Sequence, residues 1–445
     1  MNQPNIVYMH SHDTGRYVQP YGFAVPTPHI QKLAEEGVLF RQAFCAAPTC
    51  TPSRAALLTG QSPHSCGQLG LINLGFELRD SHKHIAHTLR DARYHTVMTG
   101  AGPLVRDSLT CGYDAVIDGS EPGDPGIAEA ASAFLSRPHD KPFFLAVGFL
   151  ATHRDFPEPG PAEDPRHCLP PAPLPDTPQT RRDMAAFKAS ARRLDACFGT
   201  VLEAIESNGL TDNTLVVCTT DHGLAFPFMK CCLTDHGTGV MLILRGPSGF
   251  TGGKVIDAMV SHIDIFPTLC EVADIPPPEW LEGKSMLPLI RGAADEINEH
   301  VFSEVNYHCP YEPMRAVRTS RWKYIRRYSS YEYPMPSNID DSASKALIME
   351  HGYAGRGVQS EELYDLVFDP NEAGNRSSDP GHAEVLQDMR SRLDNWMQET
   401  KDPLLSGDIP QPAGTVAGNP DDESPKDISN RVGRPEMGNI KKGNP

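Results

Sequence analysis

The chain has 445 residues, of which 39% are hydrophobic and 22% charged, so it is long enough to bury a sizeable core. Acidic residues outnumber basic ones by 57 to 40, and the resulting formal charge of −17 argues against nucleic acid as a partner. The longest apolar run, Phe143 to Ala151, is far shorter than the roughly 20 residues that span a bilayer, which argues against a membrane-spanning helix.

Four apolar runs have the character of buried strands. They are Asn5–Met9, Phe143–Phe149, Thr214–Cys218 and Val240–Leu244. Continuously apolar runs suit strands that are covered on both faces, as in parallel sheets between helices. We therefore predict an α/β domain over residues 1–295, built on a large, mostly parallel sheet flanked by helices.

Two helices of this domain have clear end signals. Thr27 and Pro28 are typical of an N-cap and a first helical position, and Gly37 is typical of a helix end. A second helix is predicted just after Cys50 and ends at Gly60.

The rest of the chain predicts less regular structure and a smaller domain. The Pro-rich stretch 157–178 is predicted to be a surface loop. A smaller α+β domain is predicted over residues 300–402. Within it, Arg315–Tyr328 shows the alternation of a strand, and Glu361–Leu366 is predicted to be a turn that leads into another strand. One apolar helical face in this domain is formed by Val385, Met389, Leu393 and Trp396. The composition of residues 406–445 predicts a flexible tail or an arm across a partner.

The first residues and the cysteine content indicate the cellular compartment of the protein. No secretory signal is visible, because the first apolar segment, from Ile6, is short and polar. The 11 cysteines are an odd number, and we expect most of them to be reduced thiols. These features predict a cytoplasmic protein without a membrane partner, and they leave assembly into a homo-oligomer open.

Three of the four apolar runs are followed by ionisable residues. His12 and Asp13 follow the first run, His153 follows the second, and Asp221 and His222 follow the third. Ligands bind at the carboxyl ends of the strands in open α/β sheets, so we expect these side chains to share one edge. This is the first indication of an active site.

The segment from Cys50 to Gly60 places a thiol at the start of a helix, with Arg54 one turn later. The free N–H groups and the positive end of a helix favour an anion, and a guanidinium group suits a tetrahedral oxyanion. The alternative interpretation is a helix that simply begins at Pro52 beside a partly buried cysteine.

The whole segment resembles the signature of the type I, formylglycine-dependent sulfatases of the alkaline phosphatase superfamily. Their Cys-x-Pro-Ser-Arg followed by Ala-x-Leu-Leu-Thr-Gly is matched at every fixed position. Further matches are Pro4–Val7, Thr27–Phe40, Ala316–Thr319, Trp322–Tyr324 and Glu361–Leu366. The resemblance implies an alkaline-phosphatase-like fold. It also implies that a maturation enzyme oxidises Cys50 to formylglycine, whose hydrated aldehyde attacks sulfur.

The same resemblance implies a divalent metal, calcium in this family. Asp13 and Asp221 match the carboxylate ligands, His222 matches an adjacent Asn or His, and the modified Cys50 completes the set. His12 stands where these sulfatases usually carry a second Asp. Because a set with two nitrogen donors suits Mn²⁺, Zn²⁺ or iron better than Ca²⁺, the metal is left open between these ions.

The resemblance also assigns the groups around the substrate. His153 matches the histidine near the leaving-group oxygen, where a general acid would act, and Lys230 matches the basic residue that binds sulfate. These sulfatases usually carry Gly-Lys-x-His where this chain has Gly100–Pro103, so two cationic groups near Ala101 and Pro103 are missing. We expect Arg106 to replace one of these charges.

Short matches favour the heparan N-sulfatase (sulfamidase) branch. They are Thr152–Arg154, Gly67–Leu71 and the spacing from Asp221 to Lys230. The predicted activity is therefore hydrolysis of a sulfate ester or sulfamate, with a sulfated glycan or small molecule as substrate. Two alternatives stay open: a phosphonate monoester or phosphodiester hydrolase of the same superfamily, and a catalytically weakened homologue that binds sulfated glycans.

Overall fold

The computed structural model describes residues 3–432. Its strands form three sheets. In chain order, the strands are β1 (Asn5–Ser11), β2 (Val38–Phe40), β3 (Ala43–Phe44), β4 (His95–Gly100), β5 (Ala115–Ile117), β6 (Phe143–Gly148), β7 (Thr214–Thr220), β8 (Gly239–Val240), β9 (Leu242–Arg245), β10 (Lys254–Ile256), β11 (Val260–Ser261), β12 (His300–Tyr307), β13 (Tyr311–Thr319), β14 (Trp322–Arg327) and β15 (Glu361–Asp365).

The largest sheet has eight strands in the order β10-β2-β9-β7-β1-β6-β4-β5. Every neighbouring pair is parallel except the two pairs that β9 makes, with β2 and β7. The predicted large, mostly parallel sheet is therefore confirmed. The single strand predicted at Val240–Leu244 is wrong: β8 joins β3 and β11 in a small second sheet, and β9 joins the large one. The break falls at Met241, whose N–H donates to the carbonyl oxygen of Gly15 at 2.9 Å.

Helices cover both faces of the large sheet. The α-helices are α1 (Pro28–Glu36), α2 (Cys50–Thr59), α3 (Pro63–Cys66), α4 (Ile85–Asp91), α5 (Asp124–Leu135), α6 (Pro178–Ser207), α7 (Asp235–Thr238), α8 (Ile265–Val272), α9 (Leu287–Ile290), α10 (Ala343–Glu350), α11 (Ala383–Glu399) and α12 (Lys426–Val432). Among residues 3–432, none of these helices combines the length and the hydropathy needed to cross a membrane.

The sequence of β1 explains why both sheet faces are covered. Ile6 and Tyr8 pack into one core cluster with α2, α4 and α8. Val7 and Met9 point the other way, into a second cluster with α1, α5 and α6. Alternate residues of a strand face opposite sides, so a continuously apolar strand needs a layer of helices on each side.

The helix signals are mostly right. The helix α1 begins at Pro28 as predicted, but Thr27 does not cap it: its hydroxyl accepts the N–H of Gln19 at 2.9 Å. The helix α2 ends at Gly60, which adopts the left-handed conformation with φ 65°. The predicted loop 157–178 ends where Thr177 caps α6.

The smaller domain contains the antiparallel sheet β12-β13-β14-β15, with α11 packed against it. The single strand predicted at Arg315–Tyr328 is wrong. It is a hairpin, in which β13 and β14 pair with Val317 opposite Tyr324. The alternation of residues has the same period on both sides of the tight turn, so the pattern does not reveal the reversal.

The structure differs from the predicted flexible tail over its first part. Ile409 and Ile428 are buried in the core cluster of the smaller domain, and the N–H of Val416 donates to Leu74 at 2.8 Å. Isolated apolar side chains in a polar segment are enough to attach it when a groove receives them. Residues 433–445 of the predicted tail lie outside the described residues.

A buried ionic network joins the two domains. His64 of α3 forms an ion pair through Nδ1 with Glu304 of β12, and its N–H donates to the same carboxylate at 2.9 Å. Arg315 of β13 binds Asp402, with 3.1 Å between Nη2 and Oδ1. All four side chains are at most 1% exposed, so each charge depends on its partners.

We expect Glu304→Gln to lower the free energy of unfolding by about 3–5 kcal/mol, because it leaves buried charges without a partner. Burial alone would raise the pKa of Glu304, but His64 and Arg315 hold it at about 2. A lowered pKa adds stability that is fully present above the unfolded-state value of about 4.3 and is lost as pH falls towards 2. Urea unfolding at several pH values measures both effects. The exposed Glu299→Gln is the control, and equal stability of the two variants would contradict this role.

Candidate active site

Cys50 is the first residue of the fully buried helix α2, so its thiol lies at the positive end of the helix. Its Sγ atom is 3.4 Å from Nε2 of His222 and 4.0 Å from Oδ1 of Asp13. The cysteine selected by the sequence signature therefore meets the residues that follow β1 and β7.

Asp13 and Asp221 are brought together by the sheet. β1 and β7 are parallel neighbours with Ser11 opposite Thr220, so the residues after both strands leave the sheet side by side. The N–H of Asp13 donates to Oδ1 of Asp221 at 2.9 Å. Asp13 has the left-handed φ of 54°, a conformation that Asp tolerates better than most residues and that turns the chain sharply after β1.

Two buried cations neutralise this pair of carboxylates. Nζ of Lys230 is 3.1 Å from Oδ2 of Asp13, and Nη1 of Arg54 is 3.1 Å from Oδ2 of Asp221. Burial would raise the pKa of Asp13, but Lys230, with His153 and His222, holds it well below its usual range. Asp13 is thus available as an anionic ligand.

His222 completes a group of donors that fits a divalent cation. Ligand atoms of Asp13, Cys50, Asp221 and His222 all lie within 4.8 Å of one another. Nδ1 of His222 lies 3.0 Å from the carbonyl oxygen of Gly223, a contact that leaves Nε2 facing the group. Burial would lower the pKa of His222, yet Asp221 and Asp13 raise it to about 9. The two carboxylates therefore draw positive charge to the position that a metal ion would fill.

The predicted ligand His12 lies at the side of this group. Its Nδ1 is 3.7 Å from Oδ2 of Asp221, but its Nε2 faces Nη1 of Arg54 at 3.1 Å. Burial and the charge of Arg54 lower its pKa well below the usual value, so the imidazole is neutral. A neutral His12 ring between the guanidinium group of Arg54 and the carboxylate of Asp221 is compatible with two roles: support of the Asp221 carboxylate, or direct ligation of a metal.

His153 is the exposed member of the site. Its side chain is 40% exposed, and Nε2 lies 4.0 Å from Oδ2 of Asp13. Nδ1 is 2.5 Å from the carbonyl oxygen of Arg154, an arrangement that leaves Nε2 free on the site side. His153 also lines a surface cleft of about 1200 Å³ together with Leu150 and Arg154. None of Asp13, Cys50 and Lys230 lines this cleft, so His153 lies between the cleft and the buried part of the site.

The loop Gly100–Pro103 does not gain the positive charge that was predicted for it. Arg106 is not brought to the site: it is exposed and pairs with Glu77 at 3.2 Å. The space beside Gly102 is filled by His10 instead, since a Cβ added to Gly102 would lie 3.1 Å from the His10 ring. Both ring nitrogens of His10 lack partners among the described residues, and burial with the charge of Arg54 lowers its pKa. Neither Arg106 nor a charged His10 therefore replaces the two missing cations.

Asp340 is a residue of the site that was not predicted from the sequence. This residue of the smaller domain accepts a hydrogen bond from Nζ of Lys230 at 3.0 Å, so Lys230 lies between two carboxylates. Burial would lower the pKa of Lys230, but Asp13 and Asp340 raise it well above the ordinary value. Asp340 lies outside every recognisable motif, and no sequence signal could have found it.

Comparisons with known proteins agree with this geometry. The profile of the Sulfatase family matches residues 4–275, and that of the N-sulphoglucosamine sulphohydrolase C-terminal domain matches residues 221–343. N-sulphoglucosamine sulphohydrolase of Homo sapiens is 29% identical and spans 86% of this chain and 87% of its own length. An ulvan-active sulfatase of Formosa agariphila is 27% identical, and the match spans 94% of this chain and 84% of the relative's own length.

A solved structure has the same fold. That of a 2-O GAG sulfatase is 23% identical, covers 96% of this chain and 100% of its own, and superposes with a TM-score of 0.71. The Sulfatase profile matches more than half of the sequence and includes every residue from Asp13 to Lys230 discussed above. The chain belongs to the sulfatase family of sulfuric ester hydrolases.

Proposed function

We propose that the protein hydrolyses a sulfate ester or a sulfamate carried by a sugar, with a formylglycine derived from Cys50 as nucleophile. The observation that carries the proposal is the position of the Cys50 thiol, within 4.0 Å of both His222 and Asp13 at the start of α2. Sugar sulfatases among the relatives, including N-sulphoglucosamine sulphohydrolase, support the choice of substrate class.

The chain's own residues have separable roles in this proposal. Asp13, Asp221 and His222 would hold a divalent metal, with Cys50 beside it and His12 supporting the site. A bound cation supplies positive charge that stabilises the sulfate group and helps to ionise the nucleophile. Arg54 and Lys230 are fixed cations that add to this positive charge and stay in place when the substrate enters.

We infer the identity of the metal from the donor set and the family resemblance. Calcium prefers oxygen ligands, which the two carboxylates supply, whereas each added imidazole shifts the preference towards Mn²⁺ or Zn²⁺. Because Nε2 of His12 faces Arg54, we infer one imidazole ligand and not two, and we propose calcium, the ion that the resemblance to the sulfatases implies. Elemental analysis of protein purified without chelator tests this: stoichiometric manganese or zinc would overturn the inference.

Parallel kinetics test the reaction class. We expect turnover of glucosamine N-sulfate and of an aryl sulfate by protein made together with a formylglycine-generating enzyme, and little turnover of an aryl phosphonate monoester. A preference of about a hundredfold for the phosphonate would favour the phosphonate hydrolase instead. Complete inactivity, with formylglycine present at position 50, would favour a homologue that only binds sulfated glycans.

We expect His153→Ala to lower kcat about 10²- to 10⁴-fold for substrates with poor leaving groups. The reason is that Nε2 of His153, on the cleft side of Asp13, would protonate the departing oxygen or nitrogen. For an aryl sulfate with a good leaving group the loss should be much smaller, since such a group departs without a proton. A series of aryl sulfates of graded leaving-group pKa measures this. The exposed His95→Ala is the control, and a uniform loss across the series would contradict the role.

A further inference from the structure

A second cavity lies between the large domain and the smaller one, apart from the proposed active site. Its volume is about 690 Å³, and none of the proposed catalytic or metal-binding residues lines it. One part of its wall is apolar, with Phe23, Leu169 and Met184, and the other part carries charged and polar groups. The charged part is built from the loop after β1, the middle of α6, α7 and the end of β13.

Lys188 is the clearest sign that this cavity receives a ligand. It lies in the middle of α6, lines the cavity and is only 9% exposed. Its ammonium group forms no hydrogen bond or ion pair with any residue between 3 and 432. The stem of the side chain is buried while the ammonium group borders the cavity, so the charge is held where an anion in the cavity would meet it.

Two neighbours in the wall also have unused polar atoms. Arg16 donates from Nη2 to the carbonyl oxygen of Ala43 at 2.9 Å and stacks on Phe44, but its buried Nε has no partner among the described residues. Nε2 of His236 is likewise buried without a partner in this part of the chain. Burial lowers the pKa of His236, so its ring is neutral, and the unused nitrogen donors of the wall are the Lys188 ammonium group and Nε of Arg16.

The charges around the cavity do not balance. The carboxylate of Asp235 is already bound by Arg318 at 3.0 Å and by Lys323 at 2.8 Å. Glu372, behind Asp235, does not restore the balance, because burial raises its pKa to about 8. Three cations thus line the cavity beside one ionised carboxylate, that of Asp235; they are Arg16, Lys188 and Arg318. In a chain with a formal charge of −17, such a local excess of positive charge needs a specific reason.

We propose that this cavity is a second oxyanion site, which binds a sulfate or phosphate group through Lys188 and Arg16. Tetrahedral oxyanions accept several hydrogen bonds at once and match a cluster of nitrogen donors. The cavity is larger than a bare ion requires, and Phe23 and Leu169 offer an apolar surface to an organic group that carries the anion. The site lies apart from Cys50 and does not depend on the proposed reaction.

Crystals of the unmodified chain soaked in selenate test the location directly. We expect an anomalous selenium peak in the cavity within hydrogen-bond distance of Lys188, in addition to any peak near Cys50. A peak only near Cys50, or no peak in the cavity, would overturn the proposal. This measurement needs no variant, so it does not depend on whether a substitution is tolerated.

Calorimetric titration of a Cys50→Ala background, which prevents turnover, measures the contribution of Lys188. The probes are inorganic sulfate, inorganic phosphate and glucosamine 6-sulfate. Lys188→Gln should weaken one binding event about tenfold or more, because it removes a charge-assisted hydrogen bond. The matched control is Arg182→Gln, which removes an exposed positive charge from the same helix and should change nothing.

The probes also separate the two sources of the anion. Binding of inorganic ions as tightly as the sugar sulfate would show that the oxyanion alone is recognised, and tighter binding of the sugar sulfate would show that the apolar wall contributes. Either result supports the site. Equal affinities of Lys188→Gln and its parent for all three probes would refute it.

Discussion

Replacing Cys50 by alanine is expected to lower kcat by about 10⁴-fold or more, which is the scale of loss when a covalent nucleophile is removed. The thiol lies at the positive end of α2 beside His222 and Asp13, where an oxidised side chain would be close to the metal-binding group and to Arg54. The substitution removes a single sulfur atom from a buried position, so the fold should tolerate it.

The matched control is Cys45→Ala, a thiol deletion just after β3. Sγ of Cys45 is buried and lies 3.9 Å from the carbonyl oxygen of Gly237, so turnover should stay within a few-fold of the parent. Peptide mass spectrometry of active parent protein should show a loss of about 18 Da at Cys50, the signature of formylglycine. An unmodified thiol in fully active protein would refute the proposed nucleophile.

Much of the active site could be predicted because its members follow neighbouring parallel strands. Asp13 and Asp221 are far apart in sequence, but both come directly after continuously apolar runs, and such runs become central strands of a sheet covered on both faces. The segment from Cys50 to Gly60 adds a helix start, which positions the thiol without any long-range information. Local pattern and sheet topology thus point to the same place.

The rest of the site depends on contacts that no local pattern encodes. Asp340 reaches Lys230 from the smaller domain, and the hydrogen bond joins residues 110 positions apart in the sequence. Arg106 is near the loop in sequence yet turns outward to Glu77, while His10 of β1 fills the space beside Gly102. Proximity along the chain is a poor guide at a loop, because the side-chain directions there are set by tertiary packing.

The burial of the charged groups also constrains how the site works. Asp13 and Lys230 are at most 4% exposed, and the side chain of His153 is 40% exposed. In the proposed reaction, a sulfate group therefore enters a pre-formed set of charges, and we expect the leaving group on the His153 side. Charges fixed before the substrate arrives need no reorganisation during the reaction, which is where electrostatic catalysis gains most.

Asp221→Asn is expected to lower kcat/KM by about 10³-fold and to reduce the bound metal to well below one equivalent, because a metal contributes several kcal/mol of charge stabilisation. The amide keeps one oxygen for the N–H groups of Asp13 and His222, which donate to Oδ1 of Asp221 at 2.9 Å. It replaces the other oxygen, which accepts from Arg54, by a donor. The contacts to these two N–H groups should survive, whereas the ligand charge and the buried ion pair with Arg54 are lost.

Metal removal and return separates this role from a purely structural one. The parent protein treated with a chelator should lose turnover and recover it when the cation is restored, and Asp221→Asn should not recover at the same metal concentration. Asp212→Asn is the matched control, since Asp212 is exposed just before β7, at the end of the strand opposite to Asp221. If Asp221→Asn binds a full equivalent of metal and still loses turnover, the carboxylate acts through Arg54 and not as a ligand. That outcome would move the metal site towards Asp13, His222 and His12, and it would restore the case for Mn²⁺ or Zn²⁺.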